Sequence, residues 1–414
     1  MSARCAQTPL SGRSTATAVT AAALIVALFA CKSHNSDSAD ATRKESVSSS
    51  APAQSGMPEA DAPGLPSVSC SEGDPIGPRI QQAVAAQGLL WILGEDGSLR
   101  SLDVDTARSA THLRGERVLS LHRTTGGALW VLADQSGKSG GTVAVRARIP
   151  LSHGSEAWEN VRATVAMAGT AWAWLTEVDG DPLVLTPVAL FDFRRAEVRR
   201  LALTHALRPS VQPSPALVGR TVYVGADLGE WGGGLRAVSV ETGEVSTIGS
   251  PPRDAATDCF DLLNEACHPV TSVVADPADA GCALAAVGLR HMGMSIGRVV
   301  RACGDAVAEA AVWPEGGAGG AEAVYSLLAT RGAVADGTVR GGVWAATSRG
   351  LRRTDDSART LLPYGRFVTI CGVRLARPTP GVVVIASNVH QSVAVVGGTP
   401  ILVDDPSTSR GSAQ

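Results

Sequence analysis

The sequence predicts an all-β chain, folded as a seven-bladed β-propeller of four-stranded antiparallel blades. Three observations carry this expectation. First, an apolar strand block recurs seven times between Arg79 and Asp405, marked by Trp91, Trp130, Trp172, Tyr223, Leu284, Trp344 and Val384. The markers are spaced 39 to 61 residues apart, a repeat long enough for one small meander per cycle. Second, the runs between the markers are short, β-branched and bounded by Gly, Asp or Pro, as strands are. Third, the chain holds 45 glycines and 23 prolines, which suits many turns and few long helices.

Each cycle divides into four strands. The expected innermost strands are Ile80–Ala85, Val118–His122, Ala163–Met167, Ser214–Val218, Val270–Ala275, Ala323–Leu328 and Val368–Val373. The seven markers sit on second strands, whose apolar character on both faces fits blades packed face to face. Third strands include Leu99–Asp103, Thr142–Arg148, Leu235–Val240, Arg298–Cys303, Leu351–Asp355 and Val393–Val396. Outer strands include Val198–Leu203, Val245–Ile248, Val307–Val312, Thr360–Leu362 and Ile401–Val403.

The sixth cycle, AVYSLLATRG followed by GGVWAATSRGLRRTDD, resembles the propeller repeats in the sensor regions of hybrid two-component regulators. The matching residues are Val324, Ser326, Leu327, Gly342, Trp344, Thr347, Gly350 and Leu351. RVLSLHRTTGGALWVLAD and LLWILGEDGSLRSLD are weaker copies. The resemblance implies a propeller that binds a ligand outside the cytoplasm. The chain departs from those sensors in having no transmembrane helix, kinase or DNA-binding region after the repeats. The Gly-His and Trp-Asp signature of WD40 blades is absent.

The N-terminus suggests export. Arg4 and Arg13 form a basic region, and Ser14 to Ala30 is free of charge. That core is short for a membrane span and suits a signal peptide. It ends in Leu28-Phe29-Ala30-Cys31, similar to the lipobox of bacterial lipoproteins, although Phe29 replaces the usual small residue. The resemblance implies lipidation at Cys31 after removal of residues 1–30. An ordinary secretory signal or an uncleaved anchor are the other readings. Residues 31–69 are rich in Ser, Ala and Pro, lack aromatic residues and read as a flexible tether. The propeller then spans 70–405, and 406–414 is a disordered tail. Lys32 lacks the acidic character that retains some lipoproteins at the inner membrane, so the outer membrane is the expected address.

Six further cysteines in an exported chain favour disulfides. Cys282 and Cys303 face each other in a hairpin folded about Met292-Gly293. Cys259 and Cys267 lie in an insertion between the fourth and fifth cycles and close a local loop. Cys70 and Cys371 remain, and a bond between them would staple the ends of the ring. No CxxC pair exists, so zinc has little support.

The net charge of −3 and the 18% of charged residues give no basic excess, so nucleic acid is not an expected partner. Nor is any cofactor or bound metal expected. In a propeller, loops between second and third strands open on the face that receives the connections between blades. Two such loops stand out. GADLGEWGGGL carries Asp227, Glu230 and Trp231, and GLRHMGMSIG carries Arg290 and His291. An exposed Trp beside charged groups suits a sugar ring or a peptide. The bland alternative is that Gly232–Gly234 make a turn and Trp231 covers a blade edge. Asp179-Gly180-Asp181, on a loop of that face, reads as a polar turn, with a calcium contact as the alternative. His122 and His205 read as locally hydrogen-bonded side chains.

Two functional classes follow. One is a monomeric, lipid-tethered, non-catalytic binding or scaffold module for a glycan, peptide or protein. The other is a propeller enzyme acting on a polysaccharide or another extracytoplasmic substrate. That would need polar groups converging at the channel mouth. Fold alone does not choose between them.

Overall fold

A computed structural model describes residues 80–134, 142–150, 156–161, 165–167, 172–208, 214–250, 259, 261–291, 294–314, 320–333, 339–354, 373–376, 384–387, 392–395 and 401–402. The chain divides into two compact units, Met1–Ala62 and Pro63–Gln414, and every described residue lies in the second. The expected signal, Cys31, the tether, the tail, Cys70 and Cys371 all lie outside the described residues. Among those residues, no helix is long and apolar enough to cross a membrane.

The described residues form antiparallel meanders in chain order. Blade one is β1 (Ile80–Ala86), β2 (Leu89–Gly94), β3 (Leu99–Asp103) and β4 (Arg108–His112). Blade two is β5 (Arg117–Arg123), β6 (Leu129–Asp134), β7 (Thr142–Pro150) and β8 (Glu156–Asn160), with β9 (Val165–Ala166) pairing further along β7. Blade three is β10 (Trp174–Val178), β11 (Asp181–Leu185), β12 (Ala189–Asp192) and β13 (Arg199–Ala202). Blade four is β14 (Ser214–Val218), β15 (Thr221–Gly225), β16 (Leu235–Ser239) and β17 (Val245–Ile248). Blade five is β18 (Val270–Ala275), β19 (Ala283–His291), β20 (Met294–Cys303) and β21 (Ala306–Ala311). A three-stranded sheet follows, of β22 (Val324–Ala333), β23 (Val339–Thr347) and β24 (Leu351–Arg353). The C-terminal blade is β25 (Val373–Ala376), β26 (Val384–Ser387), β27 (Ser392–Val395) and β28 (Ile401–Leu402).

The fold is therefore an all-β propeller, but the expectation of seven four-stranded blades is corrected. Six sheets complete the four-strand meander, and one of the six carries the extra strand β9. The sheet of the sixth cycle has three strands among the described residues and is not a seventh four-stranded blade; Thr360–Leu362 lies outside the described residues.

Three strand assignments also change. Ala163–Met167 was expected to line the channel as the innermost strand of the third cycle. Instead its core, β9, adds to blade two. The innermost strand of blade three is β10, which begins two residues after Trp172, so Trp172 does not mark a second strand. The run AWAWL is apolar on both faces, and this made it look like a fully covered second strand. The two-residue turn at Asp179-Gly180 (φ 55° and 87°) settles the register by pairing β10 directly with β11. In the C-terminal blade the innermost strand is β25, displaced from the expected Val368–Val373.

The apolar core lies between sheets rather than within them. Trp91, Leu93 and Leu99 of blade one pack with Val118, Leu129 and Val131 of blade two. Leu132 and Val145 meet Leu175, Val184 and Phe191 of blade three. Leu183 and Leu190 meet Val222 and Val238 of blade four. Tyr223 and Leu235 meet Val270 and Val300 of blade five. Leu284 and Val299 meet Val324 and Val343 of the three-stranded sheet. Ile80, Leu90 and Ile92 pack with Ala376 of the C-terminal blade, which brings the last sheet against the first.

A second interaction repeats along the innermost strands. Four of them carry a one-residue bulge at the same place, between Ile80 and Gln82, Val118 and Ser120, Val270 and Ser272, and Val324 and Ser326. The polar residue after each bulge accepts a backbone N–H from the next sheet. Leu121 N–H donates to Gln82 Oε1 (2.8 Å), while Gln82 Nε2 donates to Leu121 O (2.7 Å). Leu175 N–H donates to Ser120 Oγ (3.0 Å), Leu327 N–H to Ser272 Oγ (3.0 Å) and Leu375 N–H to Ser326 Oγ (3.3 Å). Blade four supplies Ser214 Oγ to Val273 N–H (2.9 Å). This accounts for the Ser326-Leu327 element of the sequence motif: the serine caps a donor that no strand ladder reaches.

Replacing Ser272 with Ala leaves the buried Leu327 N–H without its acceptor. The expected loss is about 1–3 kcal/mol, the cost of stranding a buried donor. Urea unfolding of Ser272→Ala, with faster amide exchange at Leu327, checks this. Unchanged stability with unchanged exchange would show that the belt contributes nothing.

Candidate functional site

The two loops singled out in the sequence do meet. The first joins β15 to β16. Asp227 Oδ1 accepts the Gly229 N–H (2.9 Å), and a single 3-10 turn follows over Gly229–Trp231. Gly232 and Gly233 (φ 78° and 137°) then pass so close to the backbones of Glu265–Ala266 and Ala226 that a Cβ on either would collide. Gly233 N–H donates to Glu265 O (2.8 Å) and Gly234 N–H to His268 O (3.0 Å). The glycines thus serve a close packing against the cysteine-bearing insertion, and Trp231 covers no blade edge: it is 74% exposed.

The second loop joins β19 to β20. Glu230 Oε2 lies 3.0 Å from His291 Nε2, an ion pair whenever the imidazole is protonated. Arg290 is exposed, and Met294, at the start of β20, is 65% exposed. Val188, Trp231, Met294 and Val312 are the exposed large apolar side chains among the described residues, so two of the four share this rim. Asp227 does not join them. It turns inward, where burial raises its carboxyl above the usual range, partly offset by the Gly229 N–H and by Arg374.

The insertion is rigidly held. Cys259 and Cys267 form the expected disulfide, with Cα atoms 5.6 Å apart. The buried Glu265 lies 2.6 Å from Arg236 Nη2 and 2.7 Å from Arg208 Nη2, so its charge is compensated twice. His268 Nδ1 accepts the Asn264 N–H (2.9 Å). Cys282 and Cys303 are bonded as the hairpin register requires, with Cα atoms 4.4 Å apart beside the Ala283–Ala302 pair. Asp279, Cys282 and Cys303 are close enough to hold a metal ion, but both sulfurs are committed to that disulfide.

Asp179-Gly180-Asp181 belongs to the opposite face, because it is a turn between first and second strands. Asp179 Oδ2 lies 2.7 Å from Arg220 Nη2 and 3.6 Å from Arg194 Nη1, so the loop is an ion-pair anchor between blades three and four. His205 is exposed. His122 on β5 stands 3.9 Å from Glu177 Oε2, whose carboxylate accepts the Thr125 N–H (2.6 Å) and hydroxyl (3.0 Å).

Arg374 escaped the sequence reading. It lies on β25 in the slot that Ser120, Ser272 and Ser326 fill in other sheets, and it lines the cavity on the ring axis. Aligning the cycles on their shared Ser-Leu pair would have exposed it, since VRL stands where the others read LSL, TSV or YSL.

No family model matches the chain, and no curated protein does. Similar solved structures include the mitotic checkpoint complex, at TM-score 0.43 and 14% identity, covering 84% of this chain and 96% of that one. YCF48 bound to D1 peptide matches at 0.45 and 10%, over 81% and 94%. The N-terminal domain of Nup159 matches at 0.40 and 13%, over 78% and 92%. At these levels the propeller assignment rests on the strand order of the chain itself.

Burial pushes the imidazoles of His122 and His268 down to about 4, with Arg298 adding to the effect at His268. The unfolded chain therefore takes up these protons first, near the ordinary value of 6.5. Stability is fully present above about pH 6.5 and declines as the pH falls towards 4. His122 accounts for at most about 3 kcal/mol of the decline, at ~1.4 kcal/mol per unit. Melting temperatures measured from pH 7.5 to 4 should show it, and His122→Gln should flatten the slope. A slope identical in that variant would place the proton uptake elsewhere.

Proposed function

We propose that the chain is a non-catalytic recognition module, held at the bacterial cell envelope by a lipid on Cys31, whose blade-four and blade-five rim grips a polymeric glycan or peptide. The observation that carries this reading is the pairing of exposed Trp231 and Met294 with the Glu230–His291 contact on one rim. Leaving large apolar side chains in water has no benefit for folding, whereas an indole face next to fixed polar groups suits a sugar or peptide partner. The platform is small, so useful affinity needs several contacts along one polymer. The disulfide-closed insertion behind Gly232–Gly234 gives the rim a stiff backing, which lowers the ordering cost of binding.

A glycan and peptide array probed with the chain identifies the ligand class. Trp231→Ala should weaken the interaction found there at least tenfold while changing stability by less than about 0.5 kcal/mol, as for other exposed positions. Normal binding by the variant, or its unfolding, would remove Trp231 from the site.

The anchoring half of the reading is tested separately. Cys31→Ala should abolish incorporation of a fatty-acid analogue and leave unprocessed precursor or released protein. Equal labelling of variant and parent would refute lipidation.

A further inference from the structure

A cavity of about 590 Å³ opens between blades one and two. Its wall comes from the β2–β3 loop (Asp96–Ser98), the β4–β5 connection (Thr111–Arg117) and the end of β6 (Asp134). These are second-to-third loops and a connection between blades, so the cavity shares its face with the Trp231 rim. The volume falls within the range of about 300–1,000 Å³ usual for small-molecule sites.

The charges of this wall are unequally spent. Glu116 is taken by Arg146 of β7 at 3.0 Å, and its second oxygen, Oε2, is sealed from solvent. Asp134 is engaged, and His112 meets Ser101 Oγ at 2.7 Å. Asp96 accepts the Ser98 N–H through Oδ1 (2.9 Å). Arg114 and Arg117 are both exposed, and neither has an ion pair or hydrogen bond among the described residues. That holds even though Arg117 stands opposite Asp134 in the β5–β6 register. Each acid of the wall is thus engaged, whereas neither guanidinium is.

The backbone fixes where these two cations start. Glu116 N–H donates to Leu113 O (3.0 Å), with Leu113 and Gly115 both at positive φ (48° and 88°), so the connection turns tightly between the arginines. Val118 N–H donates to Gly97 O (2.9 Å), and the stem of Arg117 lies over Gly97, where a Cβ would fall 2.5 Å from its Cγ. A guanidinium placed in this way matches the two oxygens of a carboxylate. The wall also carries the hydroxyls of Ser98 and Thr111 and the exposed carboxylate of Asp96, groups that exchange hydrogen bonds with ring hydroxyls.

We propose that this cavity binds an acidic sugar, with its carboxylate on Arg114 and Arg117 and its hydroxyls towards Asp96 and Thr111. The site is separate from the Trp231 rim and stands or falls without it.

The test titrates the full chain at low ionic strength with methyl α-galacturonide and with methyl α-galactoside, its neutral counterpart, by saturation-transfer NMR. The acid should bind at least tenfold more tightly, and added salt should shrink the difference. Arg114→Gln combined with Arg117→Gln should abolish the preference, each single variant should reduce it at least twofold, and Trp231→Ala should leave it intact. Sulfate and alanine, competed against the galacturonide, should each displace it only at more than tenfold higher concentration. Equal binding of acid and neutral sugar overturns the proposal, as does a preference that survives the double variant. Displacement by sulfate at matching concentration would make this a bare anion site, and by alanine a zwitterion site; either refutes the sugar assignment. Should the double variant fail to fold, the single variants decide: a preference unchanged in both refutes the site.

Discussion

The structure depends on one recurring contact, in which a polar side chain on the innermost strand of one sheet accepts a backbone N–H from the innermost strand of the next. Face-to-face apolar packing supplies most of the attraction between sheets, but it is non-directional and would tolerate sliding. The serine contacts are directional and buried, so each one sets the height of a strand against its neighbour. The bulges at Gln82, Ser120, Ser272 and Ser326 follow from the same requirement, since an extra residue re-aims a side chain out of the regular pleat.

The belt has departures, and each has a visible consequence. Trp174 occupies the slot in blade three and offers no acceptor. At that junction Thr204 N–H donates to Gly243 O (3.0 Å), and Thr204 Oγ1 accepts the Val245 N–H (2.9 Å). Arg194 joins Asp192 of blade three (2.7 Å) to Glu241 of blade four (3.1 Å). The Arg220–Asp179 pair is about half exposed and contributes ~1 kcal/mol or less. The Asp192 carboxylate is almost wholly buried and bound by a forked guanidinium, which holds Arg194 in place for its contact with Glu241 across the junction. Arg374 is the other departure. A long cation there converts a structural slot into a charged one, and the charge of Asp227 in blade four favours it.

Much of the fold was legible because its determinants are local. Short runs bounded by turn residues marked β14, β17 and β18, and the hairpin expected about Met292-Gly293 made the Cys282–Cys303 bond readable from opposed positions alone. The third cycle was misread because a strand apolar on both faces can be either a first or a second strand. Only the Ser120–Leu175 contact and the Asp179 turn distinguish them, and the former joins residues 55 apart. The rim was legible for a related reason: a Gly-rich loop between strong strands must go somewhere, and Trp231 within it had no apolar neighbour in sequence. Which glycine faced what was not legible, since the partner backbone, Glu265–Ala266, lies in a separate insertion.

Asp227 shows why a candidate site cannot be read as a list of loop residues. It shares a loop with Glu230 and Trp231, yet its carboxylate is held by the Gly229 N–H and raised above the usual range by burial. The glycines that follow are pinned by the insertion, so Trp231 has to project outward. One eight-residue loop, Asp227–Gly234, therefore keeps its acid half-buried while its indole faces solvent. The insertion that pins the glycines is closed by Cys259–Cys267 and anchored through Glu265 to Arg208 and Arg236.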